Sequence, residues 1–142
     1  MSNSVNEKNG IILILTDGGF PEFYRILFLK NKKVAIHNFQ DASEILKHCR
    51  IDIVLLHCTN DFEAGLNILR NNKAKYPHIP NIFITDINYE GLVLKVFRSG
   101  ARDFFRKPIN NFELKDSVKG LLNIKQISRE SRRPFLNISK SI

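Results

Sequence analysis

The sequence predicts a doubly wound α/β domain: five parallel strands with helices covering both faces of the sheet. Three observations carry that expectation. The apolar runs "IILILT", "DIVLL" and "NIFIT" are unbroken rather than alternating, as strands buried on both faces must be. Amphipathic segments long enough to serve as parallel crossovers separate them. Each run also stops abruptly at a polar, Gly or Pro residue.

The elements follow in order. Strand one is Ile11–Thr16, closed by "DGG". Pro21 suits the first turn of a helix over "PEFYRILFLKN". Phe20, Phe23, Tyr24 and Leu27 form its buried stripe, with Ile26 and Leu29 off it. "KVAIH" (Lys33–His37) is strand two. A helix over "DASEILKHC" follows, capped by Asp41 or Ser43, with Ile45 and Leu46 turned inward. Strand three is "IDIVLLH". Its helix starts at Asp61 as N-cap, buries Phe62, Leu66, Ile68 and Leu69, and ends near Tyr76 because Pro77 and Pro80 follow. Strand four is Asn81–Thr85. Helix four lies in "YEGLVLKVFRSG", with Gly100 at its C-terminal cap. Strand five is "ARDFF", closed by "KP". The last helix, "NNFELKDSVKGLLNI", takes Asn110 or Asn111 as cap.

Composition agrees with one compact domain. The chain has 142 residues, 43% of them hydrophobic, with only seven Gly and five Pro, which excludes fibrous and low-complexity classes. No apolar run approaches the roughly 18 residues of a membrane span. The polar start "MSNSVNEKNG" lacks a signal-peptide core, so a cytoplasmic location is expected. Cys49 and Cys58 fit a reducing compartment as buried or half-buried thiols. The net charge is +8, and half of it lies beyond residue 124, where Lys125, Arg129, Arg132, Arg133 and Lys140 face one acid, Glu130. The expected organisation is a flexible N-terminus over 1–9, the folded domain over 10–125, and a basic tail or linker over 126–142. Beyond Pro134, the tail's Phe135, Leu136 and Ile138 could dock on the domain or on a partner.

In folds of this class ligands gather beyond the carboxyl ends of the strands. Those ends carry Thr16-Asp17, His37, His57, Thr85-Asp86 and Lys107-Pro108. A hydroxyl at Thr85 and an ammonium at Lys107, brought together, suit a phosphoryl group.

At this point the residues resemble a known family. "ILILTD", "DIVLLH", Gly65, "NIFIT" and above all "SGARDFFRKPI" are similar to the receiver domain of bacterial response regulators, from about Asn9 to Lys125. The resemblance implies a flavodoxin-like sheet of order 2-1-3-4-5. It also implies phosphotransfer to an aspartate ending strand three, assisted by magnesium held by an acidic pair after strand one. A Thr or Ser and a Lys would bind the phosphoryl oxygens, and an aromatic on strand five would change rotamer.

Carried over by position, the match is partial. Asp17 stands at the second acid, Thr16 replaces the first, Thr85 and Lys107 match, and Phe104 takes the switch aromatic. His57 occupies the place of the phospho-acceptor aspartate. Asp61 stands where proline is usual, and Asp86 where a small residue is usual. Imidazole is a poor ligand for magnesium, which leaves Asp17 as the sole weak metal candidate. Neither magnesium nor another cofactor is therefore expected, and no catalytic residue. The expectation is a pseudo-receiver in which His57 and Lys107 donate to Asp17 and Asp86 as a hydrogen-bonded plug. In a pH-sensing variant of this idea, those acids raise the His57 pKa.

Phosphohistidine, and a soft-metal site using His57 with Asp17 or Asp86, are the rival chemistries. His48-Cys49 and His57-Cys58 lie at opposite edges of the sheet, on the order of 20 Å apart, too far for one shared site. Function then falls to surfaces. The partner is expected to be a signalling protein, with a homodimer through helix four, strand five and helix five as a variant. That face, with Leu94, Lys95, Arg98, Arg106 and Lys115, should be basic. The alternative function is nucleic-acid binding by the tail and that face, which would weaken steeply with salt. A small-ligand enzyme is disfavoured, because "TDGGFPE" is no phosphate-cradling loop and no nucleophile–base constellation is evident.

Overall fold

The computed structural model describes residues 10–18, 22–28 and 32–123. Along the chain these form β1 (Gly10–Thr16), α1 (Glu22–Leu27), β2 (Lys32–Asn38), a 3-10 turn (Phe39–Asp41), α2 (Ala42–His48), β3 (Ile53–Cys58), α3 (Phe62–Lys75), β4 (Asn81–Thr85), α4 (Leu92–Arg98) and β5 (Asp103–Arg106). A final helix, α5, covers 111–123. The expected roles of Phe20, Pro21, Leu29 and everything beyond residue 123 lie outside the described residues.

All four strand pairs are parallel and the order is β2-β1-β3-β4-β5, as the sequence predicts. The unbroken apolar runs have a direct cause, since successive side chains serve different layers. Leu13, Leu15, Val54, Leu56, Cys58 and Phe83 pack under α2, α3 and α4. Ile12, Ile14, Ile53, Leu55, Ile82 and Ile84 pack against α1 and α5 through Tyr24, Leu114 and Val118. Gly65 on α3 lets that helix settle on the sheet: a Cβ there would sit 3.0 Å from Phe83 Cε2 and 3.3 Å from Cys58 Sγ.

Cap chemistry was partly legible. Asp61 Oδ1 accepts from Ala64 N at 3.1 Å, and Asn110 Oδ1 from Glu113 N at 3.1 Å. The second helix differs. Asp41 makes no side-chain cap, because a 3-10 turn leads into α2 and leaves it helical dihedrals. Ser43 lies inside the helix rather than at its end. Helix α4 begins at Leu92, later than expected, behind Gly91 with φ +85°. That left-handed position interrupts the run from Tyr89, and an L side chain rarely adopts it.

Two surface expectations need correction. Cys49 is exposed, not buried, because it stands just past the end of α2; Cys58 is buried. The α4–β5–α5 face is not uniformly basic. Lys95, Arg98 and Arg106 mark the α4 side and Lys115 lies exposed on α5, but Glu113 and Asp116 lie exposed on α5 too, with Asp103 half-buried beside them. Ile26, off the apolar stripe, is 74% exposed. Among the described residues no helix is long and apolar enough to cross a membrane.

Candidate functional site

Parallel pairing sets the site. The register places Thr16 beside His57, Cys58 beside Thr85 and Thr85 beside Arg106. The carboxyl ends of β1, β3, β4 and β5 therefore bring Thr16, Asp17, His57, Thr85, Asp86 and Lys107 to one edge of the sheet. His57 is almost wholly buried, at 2% exposure. Its ring meets that of Tyr24 edge-on, centroids 5.5 Å apart. Tyr24 itself is buried, its hydroxyl has no hydrogen-bond partner among the described residues, and burial pushes its pKa up.

The imidazole proton can be assigned from the network. Thr16 Oγ1 donates to Gly18 O and accepts from Gly18 N at 3.1 Å. With its one proton committed, that hydroxyl must accept from His57 Nδ1, 3.2 Å away. The neutral ring thus carries its hydrogen on Nδ1 and leaves Nε2 as the lone-pair nitrogen.

Asp17 faces the other way. Its Oδ1 accepts from Thr59 N at 2.7 Å and Thr59 Oγ1 at 3.1 Å, and its Oδ2 from Asn60 N at 2.9 Å and Asp61 N at 2.8 Å. The Cys58 thiol adds a weak donor 3.6 Å from Oδ2. Burial opposes the charged carboxylate, but the amides of Asp61, Thr59 and Asn60 and the Thr59 hydroxyl outweigh it and hold the pKa below the ordinary value. Burial and the Asp17 charge push the Cys58 thiol up, so it is no thiolate nucleophile.

The expected plug is therefore not what forms. The imidazole pairs with the Thr16 hydroxyl, and Asp17 ties the loop after β3 to β1. Among the described residues no ion pair joins Lys107 to Asp17 or Asp86. Lys107 is half-buried and Asp86 exposed. Thr85 is fully buried, and its Oγ1 accepts from Ile87 N at 3.0 Å. Phe104 is half-buried, stacked over Phe83 at 6.2 Å, with the Arg106 guanidinium 5.6 Å from its ring centre.

The pH-sensing expectation also reverses. Burial, then the Lys107 charge, lowers the His57 pKa, and Asp17, the Gly18 backbone and Asp86 only partly offset this. A group whose folded pKa is depressed resists protonation in the native state. Its contribution is present above the unfolded value near 6.5 and is lost as pH falls through the folded value. Urea midpoints should therefore drop between neutral and mildly acid pH more steeply for the native sequence than for His57→Asn. Parallel pH profiles would show that His57 titrates as it does in the unfolded chain.

Sequence reasoning found the six strand-end residues but missed Thr59, Asn60 and Tyr24. The polar "TND" that follows His57-Cys58 was the available signal for a carboxylate-binding loop. Nothing in the sequence placed Tyr24 against the imidazole. Among the described residues no three His, Cys, Asp or Glu side chains cluster as a metal site.

With this geometry established, comparison with known proteins is informative. The family model described as the response regulator receiver domain matches residues 25–119. A protein-glutamate methylesterase/protein-glutamine glutaminase of Pyrococcus abyssi is 36% identical over 107 residues, covering 70% of this chain and 28% of that protein. A putative NtrX-like response regulator of Rickettsia bellii is 30% identical over 126 residues, covering 87% and 24%. The chain thus spans about a quarter of the length of these relatives. A CheY-like receiver domain protein from Methanospirillum hungatei superposes with TM-score 0.74 at 18% identity, covering 84% of this chain and 98% of that one, a likeness of fold. By the family match, with which the strand order agrees, this chain belongs to the response regulator receiver domain family.

Proposed function

We propose that this receiver works by binding a partner protein, without taking up a phosphoryl group at residue 57. The observation that carries the reading is the buried, neutral imidazole of His57, donating through Nδ1 to Thr16 where the family places an acceptor carboxylate. An aspartate there would supply both the nucleophile and a metal ligand. The donor set does not suit magnesium, which demands near-octahedral oxygen coordination. Thr16 offers only a hydroxyl already engaged twice by Gly18, and both Asp17 oxygens already accept protein donors. No step is therefore routed through a metal, and no cofactor is assigned. Nor is an enzymatic role: the methylesterase relative is a much longer protein, of which this chain covers 28%.

The binding surface we favour is α4. Val93, Leu94 and Phe97 are 40%, 53% and 44% exposed on one face of that helix. Lys95 and Arg98 lie exposed beside them, and Arg106 on neighbouring β5. An apolar patch rimmed by cations suits a partner segment with apolar and acidic side chains.

The test is a backbone amide NMR spectrum taken with and without magnesium and beryllofluoride, or with acetyl phosphate. The expected spectrum is unchanged throughout. Saturable shifts centred on Asp17 and Thr85 would refute the reading, as would an acid-labile phosphate found on His57 by mass spectrometry.

A further inference from the structure

A groove lies at the β5 side of the sheet. Strand β5 is the outer strand, and between it and α5 runs a cavity of about 690 Å³ lined by Asp103, Phe104, Arg106, Pro108, Glu113 and Asp116, among others. Three carboxylates and one guanidinium line it, and that guanidinium is turned over the Phe104 ring on the α4 side of β5, whereas Phe105 packs toward α5. The groove is therefore anionic. The edge itself is blunted against strand pairing, because it is four residues long and Asp103 Oδ1 takes the Phe104 amide at 2.8 Å.

The direction of α5 decides what can reach this groove. The helix starts just after the end of β5, and Ser117 Oγ reaches Asp103 Oδ2 at 2.5 Å, level with the start of β5. So α5 runs antiparallel to the strand, and residue 123 lies about 9 Å past Asp103. Residues 124–142 follow. They carry Lys125, Arg129, Arg132, Arg133 and Lys140 against one acid, Glu130, with the apolar Phe135 and Leu136 just beyond Pro134. The return to Arg106 is on the order of 20 Å, and the ten residues 124–133 can span about 33 Å when extended.

We propose that residues 129–138 of this chain dock in the β5–α5 groove. Arg129, Arg132 and Arg133 meet Asp103, Glu113 and Asp116, and Phe135 and Leu136 lie against Phe105 and Pro108. Exposed ion pairs are individually weak. Tethering, however, supplies an effective concentration of order millimolar, so a contact of only millimolar strength is occupied roughly half the time at low salt. The proposal does not depend on the chemistry at residue 57.

The experiment uses the full chain with Cys49→Ser and Asn137→Cys, carrying a nitroxide at residue 137; buried Cys58 stays unlabelled. At 50 mM salt, paramagnetic broadening should centre on the amides of 103–106 and 113–117. It should fall by at least half in 0.5 M salt, and likewise in the exposed charge-reversal pair Glu113→Lys/Asp116→Lys. A mixture of tagged unlabelled chain with untagged 15N-labelled chain should show none. Absence of local broadening at low salt would overturn the proposal. So would broadening centred on Val93–Phe97, insensitivity to charge reversal, or broadening in the mixture, which would make a second copy the occupant.

Discussion

Asp17→Ala should lower the unfolding free energy by about 2–3 kcal/mol, a large loss for one exposed-edge carboxylate. Asp17 is the clasp between β1 and the loop after β3. Four protein donors converge on it: the amides of Thr59, Asn60 and Asp61, and the Thr59 hydroxyl. Charge-assisted hydrogen bonds contribute about 1.5–3 kcal/mol each. The loop is partly solvated, so water replaces much of what is removed and the net cost is near that of one such bond. Asp17→Asn should cost roughly half as much, since one side-chain oxygen still accepts while the new amide group meets donors.

The acid limb provides a second readout. Because the folded pKa of Asp17 is depressed, its contribution is present above the unfolded value of 3.8 and is lost as pH falls through the folded value. Urea midpoints of native and Asp17→Ala proteins should therefore differ at pH 7 and converge in strong acid. A variant as stable as the native chain at pH 7 would show that the loop holds its shape without the carboxylate.

The larger expected effect lies in the core. Phe83→Ala should cost about 3–5 kcal/mol. Phe83 is fully buried in the middle of β4, against Gly65 of α3 on one side and the Phe104 ring of β5 on another. Removing the ring leaves a cavity that the rigid strands cannot close. Gly65→Ala isolates the fit. Helix propensity favours alanine by about 1 kcal/mol, but its methyl would press on Phe83 and Cys58 at 3.0 and 3.3 Å. The predicted net result is a loss of about 1 kcal/mol. In the Phe83→Ala background the closer obstruction is gone and only the Cys58 contact remains, so Gly65→Ala should no longer destabilise and should gain up to about the 1 kcal/mol propensity difference. Chemical denaturation of the four proteins closes the cycle. Strict additivity would mean that Gly65 is not there to admit Phe83.

Much of this was readable from local pattern. Periods of apolar residues gave the five strands because each strand needs cover on both faces. Asp61 and Asn110 announced their helices because an N-cap is a property of a few adjacent residues. The run "SGARDFFRKPI" pointed to the family for the same reason: turn, strand and closing Lys-Pro are contiguous. Element ends were less legible where backbone geometry, not side-chain type, decides. Gly91 in a left-handed conformation delays α4, and a 3-10 turn takes the place of a cap at α2.

The residue types at the strand ends are written in the chain itself: the His57 imidazole, with Thr16, Asp17, Thr85 and Lys107 at the same edge of the sheet. Tertiary structure alone decided who partners whom. The Asp17 carboxylate turns to the loop amides and the His57 imidazole to the Thr16 hydroxyl. The cause is that a half-buried charge settles where the most donors converge. Those donors, at 59–61, meet Asp17 only because β1 and β3 pair in parallel, across more than forty residues of chain. No local pattern encodes that meeting.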